Sequence, residues 1–308
     1  MNFDLDKHTI LKVIHGSQSY GTALPESDVD TKGIAVPPLE HMKGFFYRFD
    51  QAETKKPDCA IYGVQKFFKL ASDCNPNIIE VLFTDESNVL VRKPAGLLLM
   101  DNAQMFLSKK ARHTFSGYAH AQLKRIKTHR SWLLNPPKEK PTREAFGLDP
   151  TRKSLNSTTM GAIQSLEKED WELGGEVMRV FSAEKAYLSA VQHWKQYQNW
   201  VATRNPARAE LEVKYGYDTK HAMHLVRLMR MCVEILRDGV VVVRRPDAEE
   251  LLEIRAGAWS YEKIIEWAEK QDKLCDDLYE SSALPHKPPV KKLEELCVQV
   301  VDYAIGAL

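Results

Sequence analysis

Cysteine is scarce in this chain and poorly placed for chemistry of its own. The five residues, Cys59, Cys74, Cys232, Cys275 and Cys297, are widely separated and form no Cys-x-x-Cys pair, which favours neither a structural zinc site nor a disulfide framework. An excess of charge of one sign is also missing. With a formal net charge of +1 the molecule cannot present a generally basic surface, so any contact with nucleic acid is confined to a local patch. No apolar run reaches the length of a membrane span. The opening residues, Met1-Asn2-Phe3-Asp4-Leu5-Asp6-Lys7, carry neither the basic nor the apolar region of a signal peptide. No membrane partner and a cytoplasmic location are therefore expected. Internal repeats and low-complexity tracts are absent as well.

What is present is the composition of a globular protein: 308 residues, 44% hydrophobic and 28% charged, enough chain for a large core and for two domains. The pattern changes near residue 100. Before it, Thr9-Ile10-Leu11-Lys12-Val13-Ile14-His15 reads as a strand, 28–36 as a second, and Pro57-Asp58-Cys59-Ala60-Ile61-Tyr62 as a short third. That third run feeds an amphipathic helix over 64–72 with Val64, Phe67, Phe68 and Ala71 on one face. After residue 100 the spacing is helical: 95–106, then 115–134, and later 249–254, 261–279 and 292–304. The prolines and interleaved charges of 135–150 mark an exposed loop. Its Lys138, Lys140 and Arg143 beside Phe146 could meet a nucleic-acid backbone, although a solvated loop is the preferred reading. The expected fold is α+β, with an N-terminal domain over 1–100 and a mostly helical one over 101–308.

The chemistry is concentrated in the first thirty residues. After the strand the chain breaks at Gly16, and Ser17-Gln18-Ser19-Tyr20-Gly21-Thr22-Ala23 reads as a short helix whose first backbone N–H groups, with the Ser17 hydroxyl, face an anion such as phosphate. Eleven residues after Ser17, past a turn at Pro25-Glu26-Ser27, comes Asp28-Val29-Asp30. Side chains alternate along a strand, so Asp28 and Asp30 are expected on one face and Val29 in the core. Two hard oxygen ligands so placed suit Mg²⁺, which takes phosphate oxygens and water as its other ligands. They also suit a two-metal site, with Mn²⁺ as an alternative ion. Singly, each motif is weak; joined as strand, Gly-Ser, Asp-x-Asp and strand, they are specific.

His15-Gly16-Ser17-Gln18-Ser19-Tyr20-Gly21 through Pro25-Glu26-Ser27-Asp28-Val29-Asp30 resembles the signature of the DNA polymerase β superfamily of nucleotidyltransferases. More narrowly, it resembles the RNA-ligase-associated, RNA-repair branch found in bacteria and phages. Weaker likenesses lie in Asn75-Pro76-Asn77-Ile78-Ile79-Glu80, around Lys220 to Arg227, and in Ser282-Ala283-Leu284-Pro285. The resemblance implies a mixed sheet with flanking helices, Asp28 and Asp30 as catalytic metal ligands, and Gly16, Ser17, Tyr20 and Ser27 at the nucleotide. It also implies a third carboxylate on the neighbouring strand. Asp58, at the head of a strand-then-helix unit, is the first choice. Glu80, an acid inside an apolar run that has to be paired, ligated or at an element's edge, is the second, with orienting the loop next to the site as its alternative role.

The 220–236 segment reads as an amphipathic helix, with Ala222, Val226, Met229, Val233 and Leu236 as its apolar stripe and Lys220, His224 and Arg227 gathered opposite. Asp218-Thr219 caps its start and Gly239 follows its end. If that polar face lines the cleft, Lys220 and Arg227 clamp phosphates while His221 or His224 touches a phosphate or the ribose. The function expected is Mg²⁺-dependent transfer of an NMP from an NTP to a hydroxyl, with an RNA 3′ end the favoured acceptor. Alternatives are synthesis of a signalling nucleotide, transfer to a protein or small molecule, and a decayed nucleotide-sensing module. The intact first motif counts against decay.

Overall fold

The computed structural model describes residues 3–168 and 175–306. Among these, five strands form one mixed sheet: β1 (Thr9–His15), β2 (Asp30–Ala35), β3 (Gln51–Lys55), β4 (Asp58–Gly63) and β5 (Val89–Arg92), in the order β3-β4-β2-β1-β5. Ile10, Leu11 and Val13 of β1 are buried on both faces, as a strand with neighbours on either side requires. It pairs antiparallel with β2 and with β5, while β2 runs parallel to β4. The α+β class expected from the sequence is the fold observed.

β3 and β5 were not legible in the sequence. Both are edge strands; β3 is Gln-Ala-Glu-Thr-Lys, exposed along its second half, and an edge strand with a solvated face carries no apolar alternation to read. The helix Val64–Ser72 buries Val64, Phe67, Phe68 and Ala71, the face the spacing predicts. Residues 76–82 form a helix, Pro76–Leu82, started by Pro76 in the first turn and by the Asn75 side chain, which accepts from the Asn77 amide at 3.1 Å. Buried almost all round, it shows no helical periodicity in its sequence. The helix expected over 95–106 divides into Pro94–Asp101 and a 3₁₀ turn, Ala103–Phe106. Asn102 stands between them, its side-chain amide donating back to the Leu98 carbonyl at 2.8 Å.

The chain divides into two compact units, one of Met1–Lys127 with Asp218–Leu308 and the other of Thr128–Tyr217. The expected boundary near residue 100 is thus not where the compact units part: the sheet shares its unit with the helices Thr219–Asp238, Ala248–Arg255, Tyr261–Ser281 and Val290–Gly306. The last of these packs on Pro94–Asp101 and Val64–Ser72 through Leu293, Leu296, Val300 and Ala304. The second unit holds the helices Ser157–Lys168, Gly175–Thr203 and Pro206–Tyr215 and the proline-rich connection. In that connection Arg143 is not offered to a nucleic-acid backbone. Its guanidinium is taken by Glu184 at 2.9 Å, Ser154 at 3.1 Å and the Asp149 carbonyl at 2.9 Å, whereas Lys138 and Lys140 are exposed.

Candidate active site

The ends of β1 and β2 build the centre of the site. His15 pairs with Asp30, and β1 then stops because Gly16 turns with φ +71°. The positive φ favours glycine there, and a Cβ at Gly16 would collide with Asp30 Oδ2, so a larger residue would also push that carboxylate aside. The turn continues into a one-turn helix, Ser17–Tyr20, ended by Gly21 with φ +76°. Within it the Ser19 hydroxyl donates to the Gly16 carbonyl at 2.9 Å, and the Tyr20 amide donates to the same carbonyl at 3.1 Å.

β2 begins at Asp30, not at Asp28. With β1 already turned away at Gly16, Val29 has no partner strand; it is 50% exposed and does not enter the core, contrary to the strict alternation expected over 28–36. Asp28 is exposed just ahead of the strand. Ser27 closes the turn before it, its Oγ accepting from the Leu24 amide at 2.8 Å and its amide donating to the Leu24 carbonyl at 2.9 Å. That oxygen accepts one bond within the turn, and the hydroxyl proton remains to be donated.

Asp58 heads β4, and the parallel register places Thr31 beside Cys59. Asp30 and Asp58, each one residue earlier, therefore stand level at the same end of neighbouring strands, where level residues share a face. The electrostatics agree. Partial burial pushes the Asp30 carboxyl above its ordinary value, the charge of Asp58 and, less strongly, that of Asp28 add to the rise, and His15 and Lys220 oppose it. Asp58 and Asp28 are thus both within electrostatic reach of Asp30, with Lys220, half-buried in the first turn of Thr219–Asp238, acting on the same carboxylate.

Behind these groups lies a buried polar cluster. Glu80 is 1% exposed and has both oxygens engaged: Oε1 accepts from Arg227 at 2.5 Å and Oε2 from the Tyr20 hydroxyl at 2.6 Å. His15 Nε2 lies 3.1 Å from the same Oε2 but out of line for a hydrogen bond. The Arg227 guanidinium carbon sits 3.8 Å from the Tyr20 ring centre. Burial alone would raise the Glu80 carboxyl, yet the Arg227 charge and the His15 and Tyr20 contacts outweigh it and hold the group well below the carboxylate range. Burial pushes the Tyr20 hydroxyl well up and holds the His15 imidazole down.

This arrangement corrects three expectations. Glu80 is paired rather than poised as a third metal ligand; Arg227 holds Glu80 rather than standing on an open phosphate-clamping face; and Tyr20 is buried among them rather than facing a nucleotide. The helix Thr219–Asp238 is buried over its stripe, Ala222, Val226, Met229, Val233 and Leu236, and also at His221, Met223, Arg227 and Met231. Only a narrow polar strip remains. His221 sits near its own helix cap, Nε2 3.4 Å from Asp218 Oδ2, and His224 is half-buried.

Lys32 escaped the sequence reading. The alternation rule that linked Asp28 to Asp30 extends to Lys32, two residues further on the same face. Its Nζ donates to the Asn77 carbonyl at 3.0 Å. Burial lowers its amine to about 8, against the upward pull of Glu80, Asp30 and Asp58.

A mixed sheet with a Gly-Ser turn at the end of its first strand, and aspartates at the heads of the next strand and its parallel neighbour, is the arrangement that the resemblance to polymerase-β-like nucleotidyltransferases implies. Residues 4–135 match the model of the RNA repair pathway DNA polymerase beta family, RlaP, the family to which the motif pointed. Over most of its length, the chain is 25% identical over 292 residues to an uncharacterized 38.9 kDa protein of the nrdC-mobD intergenic region of Enterobacteria phage T4, covering 85% of this chain and 86% of that protein. No solved structure matches. Among the described residues no helix is long and apolar enough to cross a membrane.

Proposed function

We propose that this protein transfers an NMP from an NTP to a hydroxyl acceptor in a reaction that depends on divalent metal, and that the acceptor is an RNA 3′ end. The observation that carries the reading is the packing of Gly16 against Asp30 with Asp58 level on the next strand. It places a tight backbone turn directly beside paired carboxylates.

The donor set fits magnesium. Asp28, Asp30 and Asp58 offer hard oxygens, and the upward shift of Asp30, from partial burial first and from the charges of Asp58 and Asp28 after it, is an imbalance that a cation relieves. Bound there, the metal supplies charge neutralisation at the α-phosphate and a more acidic acceptor hydroxyl. The chain's own groups do the rest. The Gly16–Ser17 backbone orients the departing diphosphate, and Lys220 adds positive charge on the same side. The Asp58 carboxylate takes the proton of the acceptor hydroxyl. Positioning and charge account for the reaction without a covalent enzyme intermediate. The RNA acceptor is supported by the family's description, which ties its members to RNA repair.

Incubation with each α-labelled NTP and Mg²⁺, with RNA, with protein or with no acceptor, tests this directly. Label is expected on the RNA 3′ end and is expected to vanish in Asp28→Ala, Asp30→Ala and Asp58→Ala. Label in protein or in a small product would replace the acceptor, and no transfer from any NTP would remove the activity.

A further inference from the structure

The one-turn helix that follows Gly16 is too short to hold its own shape, because a single turn fixes several dihedrals for very few hydrogen bonds. Its last residue, Tyr20, is instead secured at three points. Its hydroxyl donates to Glu80 at 2.6 Å, its ring lies under the Arg227 guanidinium at 3.8 Å, and its carbonyl accepts from the Arg245 amide at 3.0 Å. Arg245 is itself immobilised by two bonds to Glu234, at 2.6 and 2.7 Å, and one to Asp247 at 2.8 Å. The helix carrying Glu80 also reaches the carboxylate strand, since the Asn77 carbonyl accepts from Lys32, two residues beyond Asp30. One buried acid is therefore tied to both halves of the site, the turn through Tyr20 and the strand through its own helix.

Glu80 and Arg227 are 1% and 5% exposed. A buried ion pair seldom adds net stability over a well-packed apolar pair. What it adds is direction: a carboxylate between a hydroxyl and a guanidinium fixes angles that an apolar contact leaves loose.

We infer that Tyr20, Glu80 and Arg227 form a strut that sets the Gly16–Ser17 turn for the triphosphate, with Glu80 and Arg227 as positioning residues that touch neither metal nor phosphate. This rests on the nucleotidyltransferase reading above. The strut makes Glu80 and Arg227 act as one unit on one quantity, the affinity for the triphosphate.

The test is a double-mutant cycle read by calorimetric binding of α,β-methylene ATP with Mg²⁺ and, separately, of adenosine. The variants are Glu80→Gln, Arg227→Met, the pair together, Arg227→Lys and Tyr20→Phe, each first shown by its melting temperature to be folded in the assay. Each of the first two is expected to weaken analogue binding by about tenfold, and the double variant no more than the worse single one, since groups in one network are not additive. Arg227→Lys, which keeps the charge but loses the planar stacking and fork, is expected to be as weak as Arg227→Met. Tyr20→Phe is expected to lose a few-fold, and adenosine affinity to stay constant throughout.

Losses that multiply in the double variant, or Arg227→Lys binding like the wild type, would mean that Arg227 meets phosphate directly and would overturn the strut. A uniform fall in adenosine affinity would overturn it too, by showing general loosening. Wild-type protein that binds none of the α,β-methylene analogues of ATP, CTP, GTP and UTP with Mg²⁺ overturns the nucleotide reading itself, a result separable from all of these.

Discussion

Two carboxylates of the same unit are driven in opposite directions, and each shift has a measurable consequence. Asp30 is raised by partial burial and by Asp58, so folding favours its protonated form. The ionised group is a burden on the folded state at neutral pH, and that burden disappears once pH falls below the ordinary value of 3.8, where both states carry the proton. Asp30→Asn is therefore expected to abolish transfer while raising the urea midpoint at pH 7, with the gain fading in acid. A lower midpoint at pH 7 would contradict the electrostatics of the site. Glu80 behaves inversely. Its depressed pKa contributes stability above the ordinary 4.5 that is lost as pH falls. Glu80→Ala, which leaves Arg227 buried without its partner, is expected to lose about 3–5 kcal/mol at neutral pH. The gap to the wild type should narrow in acid, as followed by denaturation at a series of pH values. That Glu80 needed a partner was readable from an acid inside an apolar run; that the partner is Arg227, 147 residues away, was not.

At the scale of elements, the Gly16 turn and the strand register carry the site. Gly16 combines φ +71° with a carboxylate where a Cβ would stand. Gly16→Ala is accordingly expected to destabilise the protein by about 1–3 kcal/mol and to remove transfer, measured by denaturant unfolding beside the labelling assay. An alanine variant of wild-type stability would mean that the turn is less constrained than its backbone shows. The strand–turn–helix run from Thr9 to Tyr20, the β4–helix unit and the caps at Asp218 and Gly239 were legible because their signals are local. The extra edge strands and the true start of β2 were not. Both depend on which strand lies alongside: Val29 has a strand-like sequence but no neighbour, whereas β3 has a neighbour but no apolar pattern.

Taken as a whole, the unit that contains the sheet is discontinuous in sequence, closing only when residues 218–308 join 1–127. Arg227 and the apolar face of Val290–Gly306 are supplied from the far end of the chain. A fragment of residues 1–127 is expected to lack a cooperative unfolding transition and to be cut rapidly by protease, because Glu80 would be left uncompensated and the faces of Val64–Ser72 and Pro94–Asp101 uncovered. A fragment that melts cooperatively would show that the sheet region is self-sufficient.

The sequence by itself determined the residues of the opening motif: a glycine for the turn, acids at and just ahead of the start of the next strand, and Asp58 at the head of a strand-then-helix unit. Those assignments rest on side-chain type and spacing, which are local. Only the tertiary structure decided that Asp30 and Asp58 stand level, that Glu80, Arg227 and Tyr20 face one another in the interior, and that Lys32 belongs beside them. Strand register and burial are settled by packing between segments far apart in the chain, and no local pattern encodes which distant charge will neutralise a buried one.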